Sequence, residues 1–267
     1  MDQYLIVEPS NGAVDLGDAP RMYHVGEIVP QAMPELKGVM PSLFAVEHAE
    51  KQLPVVTAIA ARDVEKGLAP RVCALVHTDA AGSDLLLHLG DVIALPREPE
   101  SFTAFRFYDP RVFQHLGWIL RPDQLKHVYG PIARWDYFTG QGWVNLTPPV
   151  EQAVDALRVS TGQRATLGRL HRIEQALKSI RDAGEPVDGR SPRKIDALLI
   201  KGENYGLSGE DLVVFAVQGA LISPDFDRHP AVAAALRPDS ARSYTDITSK
   251  WTDENWAQIV QDLAQAA

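Results

Sequence analysis

Cys73 is the only cysteine in this sequence. A lone thiol makes no internal disulfide and cannot assemble a thiolate metal site, so a disulfide framework is excluded and a reducing compartment is expected. Positive charge is scarce too: 26 Lys and Arg stand against 35 Asp and Glu, a net charge of -9. DNA and RNA are therefore offered no general phosphate-neutralising surface, and no nucleic-acid partner is expected. The longest charge-free apolar run, Leu212 to Pro224, is shorter than the roughly 20 residues that cross a bilayer and contains Gln218 and Gly219. It reads as a buried helix, and no membrane partner is expected. The opening Met-Asp-Gln-Tyr-Leu-Ile-Val-Glu-Pro is acidic where a secretory signal needs positive charge, which makes the cytoplasm the expected location.

Catalytic and cofactor signatures are missing as well. Neither G-x-G-x-x-G nor G-x-x-x-x-G-K-[ST] occurs, so the loop from His77 to Asp84 reads as a helix entry capped by Ser83, not as a phosphate cradle. The eight histidines form no H-E-x-x-H pair and there is no G-x-S-x-G elbow. Cys73 lies within Val72-Cys-Ala-Leu-Val76, where a thiol behaves as a small hydrophobe. The expectation is no cofactor, no metal and no catalytic residue: not an enzyme.

What is present is a chain of 267 residues, 45% apolar and 23% charged, long enough for one large domain or two smaller ones. Tyr4 to Val7, Ser42 to Glu47, Arg71 to His77 and Phe102 to Tyr108 read as strands, with helices over about 50–66 and 83–95 between them. Strand, helix, strand alternation predicts an α/β lobe over 1–150 with a mixed, partly parallel sheet and flanking helices. Beyond Pro148 and Pro149 the strand signals fade. Leu167, Leu170, Ile173, Leu177 and Ile180 recur at helical steps, with Arg169, Arg172 and Lys178 elsewhere on that helix's surface. A polar, turn-rich loop from Gly184 to Lys194 follows, then helices over Gly209 to Ile222, Pro230 to Leu236 and Asp253 to Leu263, the last behind a Thr252 cap. Residues 151–267 are expected to form an all-α lobe.

The sharpest local run is Phe105-Arg-Phe-Tyr-Asp-Pro-Arg-Val-Phe113. Strand alternation would put Phe105 and Phe107 on one side and Arg106 and Tyr108 on the other, after which Asp109 caps a helix that Pro110 begins. Asp109 as acid or base with Arg106 or Arg111 as anion clamp is the chemical reading; a cap paired to a neighbouring arginine is the preferred one. The five tryptophans, Trp118, Trp135, Trp143, Trp251 and Trp256, read chiefly as core.

This run resembles the adaptor or chaperone family of bacterial type VI secretion effectors, long catalogued as a domain of unknown function. Further resemblance lies in Tyr4-Leu-Ile-Val7, Met40-Pro-Ser-Leu-Phe44, Gln124-Leu, Tyr129-Gly-Pro-Ile132 and Trp135, in family order across about residues 4–138. Tyr205-Gly-Leu207 and Pro224 to Pro230 resemble the family's helical extension more loosely. The resemblance implies a non-enzymatic carrier that holds a toxic effector, usually by its N-terminal segment, and helps load it onto the tail spike protein. Arg106, Phe107, Tyr108, Asp109, Pro110 and Arg111 are then structural or partner-binding residues. Phe215, Phe226, Trp251 and Trp256 are candidates for an effector-binding lobe, since effectors differ and their apolar groove would lie in the helical half. An α/β enzyme with an unrecognised active site and a structural or regulatory interaction module are the alternatives.

Overall fold

The computed structural model describes residues 1–98, 101–237 and 242–266. The chain divides into two compact units, residues 1–163 and 164–267.

In the first unit, β1 (Asp2–Val7), β2 (Tyr23–Glu27), β3 (Ser42–Ala45), β4 (Val72–Thr78), β7 (Ile132–Phe138) and β8 (Trp143–Leu146) form one sheet in the order β2-β3-β1-β4-β7-β8. A separate hairpin joins β5 (Ala94–Glu98) to β6 (Ser101–Ala104). The α/β class is as expected, but the partly parallel sheet is corrected: every described pairing is antiparallel. The cause is an insertion. Helix α1 (Ala49–Glu65) does carry the chain from β3 to β4, and those strands run in the same direction, yet β1 lies between them and pairs antiparallel with both. A split strand-helix-strand unit has the same local sequence pattern as an adjacent parallel pair.

Each face of the sheet is covered for a reason visible in side-chain spacing. Gln52, Val56, Ala60 and Asp63 form the buried stripe of α1, and Val56 and Ala60 pack with Leu5, Val7, Val72 and Leu75. Asp63, itself buried, receives Arg71 Nη2 at 2.6 Å and the Arg71 amide at 3.1 Å, closing the turn into β4. On the other face Trp135 of β7 stacks on Phe113 with ring centres 4.2 Å apart, and Phe107 lies 5.8 Å from it. Phe113 belongs to α3 (Pro110–Ile119), which leads to α4 (Pro122–Tyr129); α2 (Gly82–Ile93) buries Leu85, Leu89, Val92 and Ile93.

The strand expected over Phe102 to Tyr108 ends at Ala104, and residues 105–109 form a turn. Phe105, Phe107 and Tyr108 are all buried there. The apolar alternation looked like a strand because a tight turn under a helix can also bury successive aromatic rings. Tyr23–Glu27 and Trp143–Leu146, at the two ends of the sheet, and the largely buried Ile132–Phe138 beside β4 were not expected as strands; the first is short and glycine-containing, and the two edge strands carry exposed or half-exposed residues.

The second unit is helical throughout its described residues: most of α5 (Thr161–Asp182), then α6 (Ser191–Asn204), α7 (Gly209–Leu221), α8 (Pro230–Ala235), α9 (Tyr244–Thr248) and α10 (Asp253–Ala266). Leu170, Ile173, Leu177 and Ile180 are buried as their spacing predicts. Arg169 departs from its expected surface position: it is buried, and its Nε donates to Asp196 Oδ1 of α6 at 2.7 Å. The polar loop ends at Arg190, four residues before its expected limit, because Asp188 Oδ1 accepts from the Arg190 and Ser191 amides and starts α6 early.

Candidate functional site

The run around Asp109 is built on a residue that its own sequence neighbourhood does not contain. Glu8, at the end of β1, is almost fully buried, and its carboxylate is saturated by four donors. Oε2 accepts from Arg106 Nη2 at 3.1 Å and from the Tyr108 hydroxyl at 3.2 Å. Oε1 accepts from the Ser10 hydroxyl at 2.6 Å and the Ser10 amide at 3.4 Å. Burial of the ring, with Glu8 adding to it and Arg106 opposing, pushes the Tyr108 phenol far above its ordinary pKa, so it stays a neutral donor.

Asp109 caps α3, as expected. Its Oδ1 accepts from the Arg111 amide at 2.9 Å, while Arg111 Nε and Nη2 reach the same carboxylate at 3.0 and 2.7 Å. Arg111, not Arg106, is thus the arginine on Asp109. Pro110 occupies the first helical position, where its missing N–H costs nothing. Two buried carboxylates therefore fix two guanidinium groups whose side chains are each 49% exposed. The Arg106 guanidinium carbon also stands 5.8 Å from the centre of the Tyr108 ring. Such a ledge presents planar N–H groups in a held position, suited to carbonyl or carboxylate groups of a peptide. Cys73 lies close enough to feel this cluster: burial first, then Asp109 and Glu8, push its thiol well above the ordinary range and keep it protonated.

Sequence reasoning missed Glu8. A usable signal was there: Glu8 ends a buried strand and precedes Pro9-Ser10, the pattern of a carboxylate capping a turn, and the structure has a short 3-10 helix over Pro9–Asn11.

The four aromatic residues singled out in the helical half are placed differently from one another. Phe215 and Phe226 are fully buried, 5.0 Å apart, at the centre of a core with Val232, Tyr244 and Ile259. Trp251 and Trp256 are partly buried against that core with ring centres 4.8 Å apart. The first pair shapes the unit from within, and the second lies at its margin.

A second cluster lines an open cleft of about 550 Å³ between the first half of α1 and the sheet. His77 Nε2 lies 2.8 Å from Asp136 Oδ2 and 2.6 Å from Arg134 Nη2, and Arg134 Nη2 lies 3.0 Å from the same Asp136 oxygen. One ring nitrogen can serve only one of those neighbours at a time. The Thr57 hydroxyl in the cleft wall accepts from Trp143 Nε1 at 2.9 Å. These groups hold one another in place. Among the described residues no group of three His, Cys, Asp or Glu could hold a metal, and no helix is long and apolar enough to cross a membrane.

Residues 29–127 match the model of a family described as a domain of unknown function, DUF4123. The span contains the whole run from Phe105 to Phe113 and all of α1 to α3. No curated protein and no solved structure matches the chain.

Proposed function

We propose, from the premise that residues 29–127 form a domain of the DUF4123 family, a family of type VI secretion effector chaperones and adaptors, that this chain is a non-enzymatic carrier for one such effector. It binds the effector's N-terminal segment in the cytoplasm and helps load it onto the tail spike protein. The observation that carries the reading is the family match itself, with the Phe105 to Val112 run inside it. The ledge adds a physical part. Arg106 and Arg111, held by buried Glu8 and Asp109, are a preformed contact for the backbone or acidic side chains of a bound segment. Arginines already fixed by partners lose less side-chain freedom on binding than free ones do. Effector choice is assigned to the helical half, where Trp251 and Trp256 offer aromatic anchors at the margin of the core formed by Phe215 and Phe226.

The test is co-expression with a toxin whose gene neighbours that of this chain, should the genome hold one. Soluble effector should increase and co-purify, and the double variant Arg106→Ala, Arg111→Ala should weaken binding tenfold or more. Glu8 keeps Ser10 and Tyr108 in that variant, so its Tm should fall by no more than about 4 °C, the effect of roughly 1 kcal/mol in a protein of this size. An effector equally soluble and equally secreted without this chain would overturn the proposal.

A further inference from the structure

The cleft between α1 and the sheet has chemistry that the ledge does not use. It is lined by Gln3, Leu53, Pro54, Leu75 and Trp143 and by the His77, Arg134 and Asp136 cluster, with Glu50 at its rim. Two acceptors among these residues have no donor. Asp136 is 3% exposed, its Oδ2 carries the contacts to His77 and Arg134, and its Oδ1 has no hydrogen-bond partner. Gln3 Oε1 is likewise buried and unpartnered. A buried acceptor left without a donor is unfavourable, so these two oxygens favour a group that supplies N–H. Glu50 and Asp136 against Arg134 leave the lining one negative charge in excess when His77 is neutral, within a chain whose net charge is -9. Trp143, fixed through Nε1 to Thr57, adds an aromatic surface that attracts cations, and Leu53, Pro54 and Leu75 add an apolar wall. Volume is sufficient, since small-ligand sites span roughly 300 to 1,000 Å³.

We propose that this cleft binds a cationic hydrogen-bond donor on an apolar stem, a guanidinium or primary ammonium group, with the stem against Leu53, Pro54 and Trp143 and the donor directed to Asp136 and Gln3. The group comes either from a free amine or from an arginine or lysine side chain of a partner protein. The site stands apart from the adaptor ledge: Gln3 lies near the start of β1 and Glu8 just past its end, about 16 Å of extended chain apart.

The experiment is calorimetric titration of the full chain with agmatine, and separately with an end-blocked peptide carrying a single arginine. Saturable binding of at least one, at one site per chain, is expected. It should weaken tenfold or more in Asp136→Asn and several-fold in Glu50→Lys, and be unchanged in Arg111→Ala. Glu50 is exposed, so its variant keeps the test decisive if Asp136→Asn fails to fold. Binding of agmatine but not the peptide identifies a small-molecule site; binding of the peptide identifies a side-chain pocket. No saturable binding of either probe at 10 mM, or binding indifferent to Glu50→Lys and Asp136→Asn, overturns the proposal. Effector binding by the ledge variants is a separate readout, so failure here leaves the adaptor reading standing.

Discussion

The side chains of Asp109 and Arg106 look like partners in sequence, three positions apart, and they are not: only the backbone joins them, the Asp109 amide donating to the Arg106 carbonyl at 3.0 Å. Because Arg111 and not Arg106 is on Asp109, Asp109→Ala removes a helix cap together with the carboxylate under a guanidinium that is half exposed and within reach of water. The expected cost is about 0.5 to 2 kcal/mol, the range for a lost N-cap. A thermal melt checks it; a drop beyond 8 °C would mean that Asp109 supports more than the first turn of α3. Asp211 gives a pH-dependent counterpart. Burial alone would raise its pKa, but hydrogen bonds from Thr245 and Tyr244 outweigh it and hold the carboxyl below the usual range. A carboxylate whose folded pKa lies below its unfolded value of about 3.9 contributes stability above that pH and loses it as pH falls through the folded value. Asp211→Asn should therefore lower Tm at pH 7, and the gap from the unmodified chain should shrink below about pH 4. A gap of constant size down to pH 2 would show that the charge of Asp211 contributes nothing.

At the scale of elements, the glycine in Tyr129-Gly-Pro-Ile132 has a specific geometric duty. Gly130 ends α4 at φ +52°, and a Cβ there would stand 2.2 Å from His88 Cε1 of α2. Gly130→Ala combines an unfavourable backbone with a displaced imidazole and should cost about 3 kcal/mol or more, lowering Tm by roughly 6 to 12 °C. A melting point unchanged within 2 °C would show that the α2–α4 approach yields freely. Most helices were legible beforehand because their signals are local: Pro110 and Pro122 at first turns, the 3.6-residue spacing along α5, Thr252 ahead of α10. Sheet order was not, because nothing in Tyr4 to Val7 tells which strands flank it. The candidate site was half legible for the same reason. Its helix cap lies within three residues, whereas the Glu8 anchor is 98 residues from Arg106 and the cleft joins Gln3 to Asp136. Arg169 was misplaced because its partner Asp196 sits on the next helix, and a charge with a distant counter-ion reads as solvent-facing.

For the whole molecule, the connection between α5 and α6 is a long, almost continuously exposed segment among the described residues of the second unit, with exposed Arg181 at the end of α5 and exposed Arg190 before α6. Brief trypsin treatment should cut there before it cuts within the sheet unit, and mass spectrometry of the first fragments checks it; initial cleavage between β1 and β4 would contradict this order. The placement of β1 between β3 and β4 has its own consequence during synthesis. The ribosome delivers β1 by residue 7, its first neighbour from residue 42 and its second only from residue 72. At roughly 5 to 20 residues per second, β1 waits about 3 to 13 s before both its edges can be paired. Leu5 and Ile6, fully buried in the finished protein, belong to a nascent strand open on two sides for that interval. A protein proposed to carry a segment of another chain passes through a comparable exposure in its own birth.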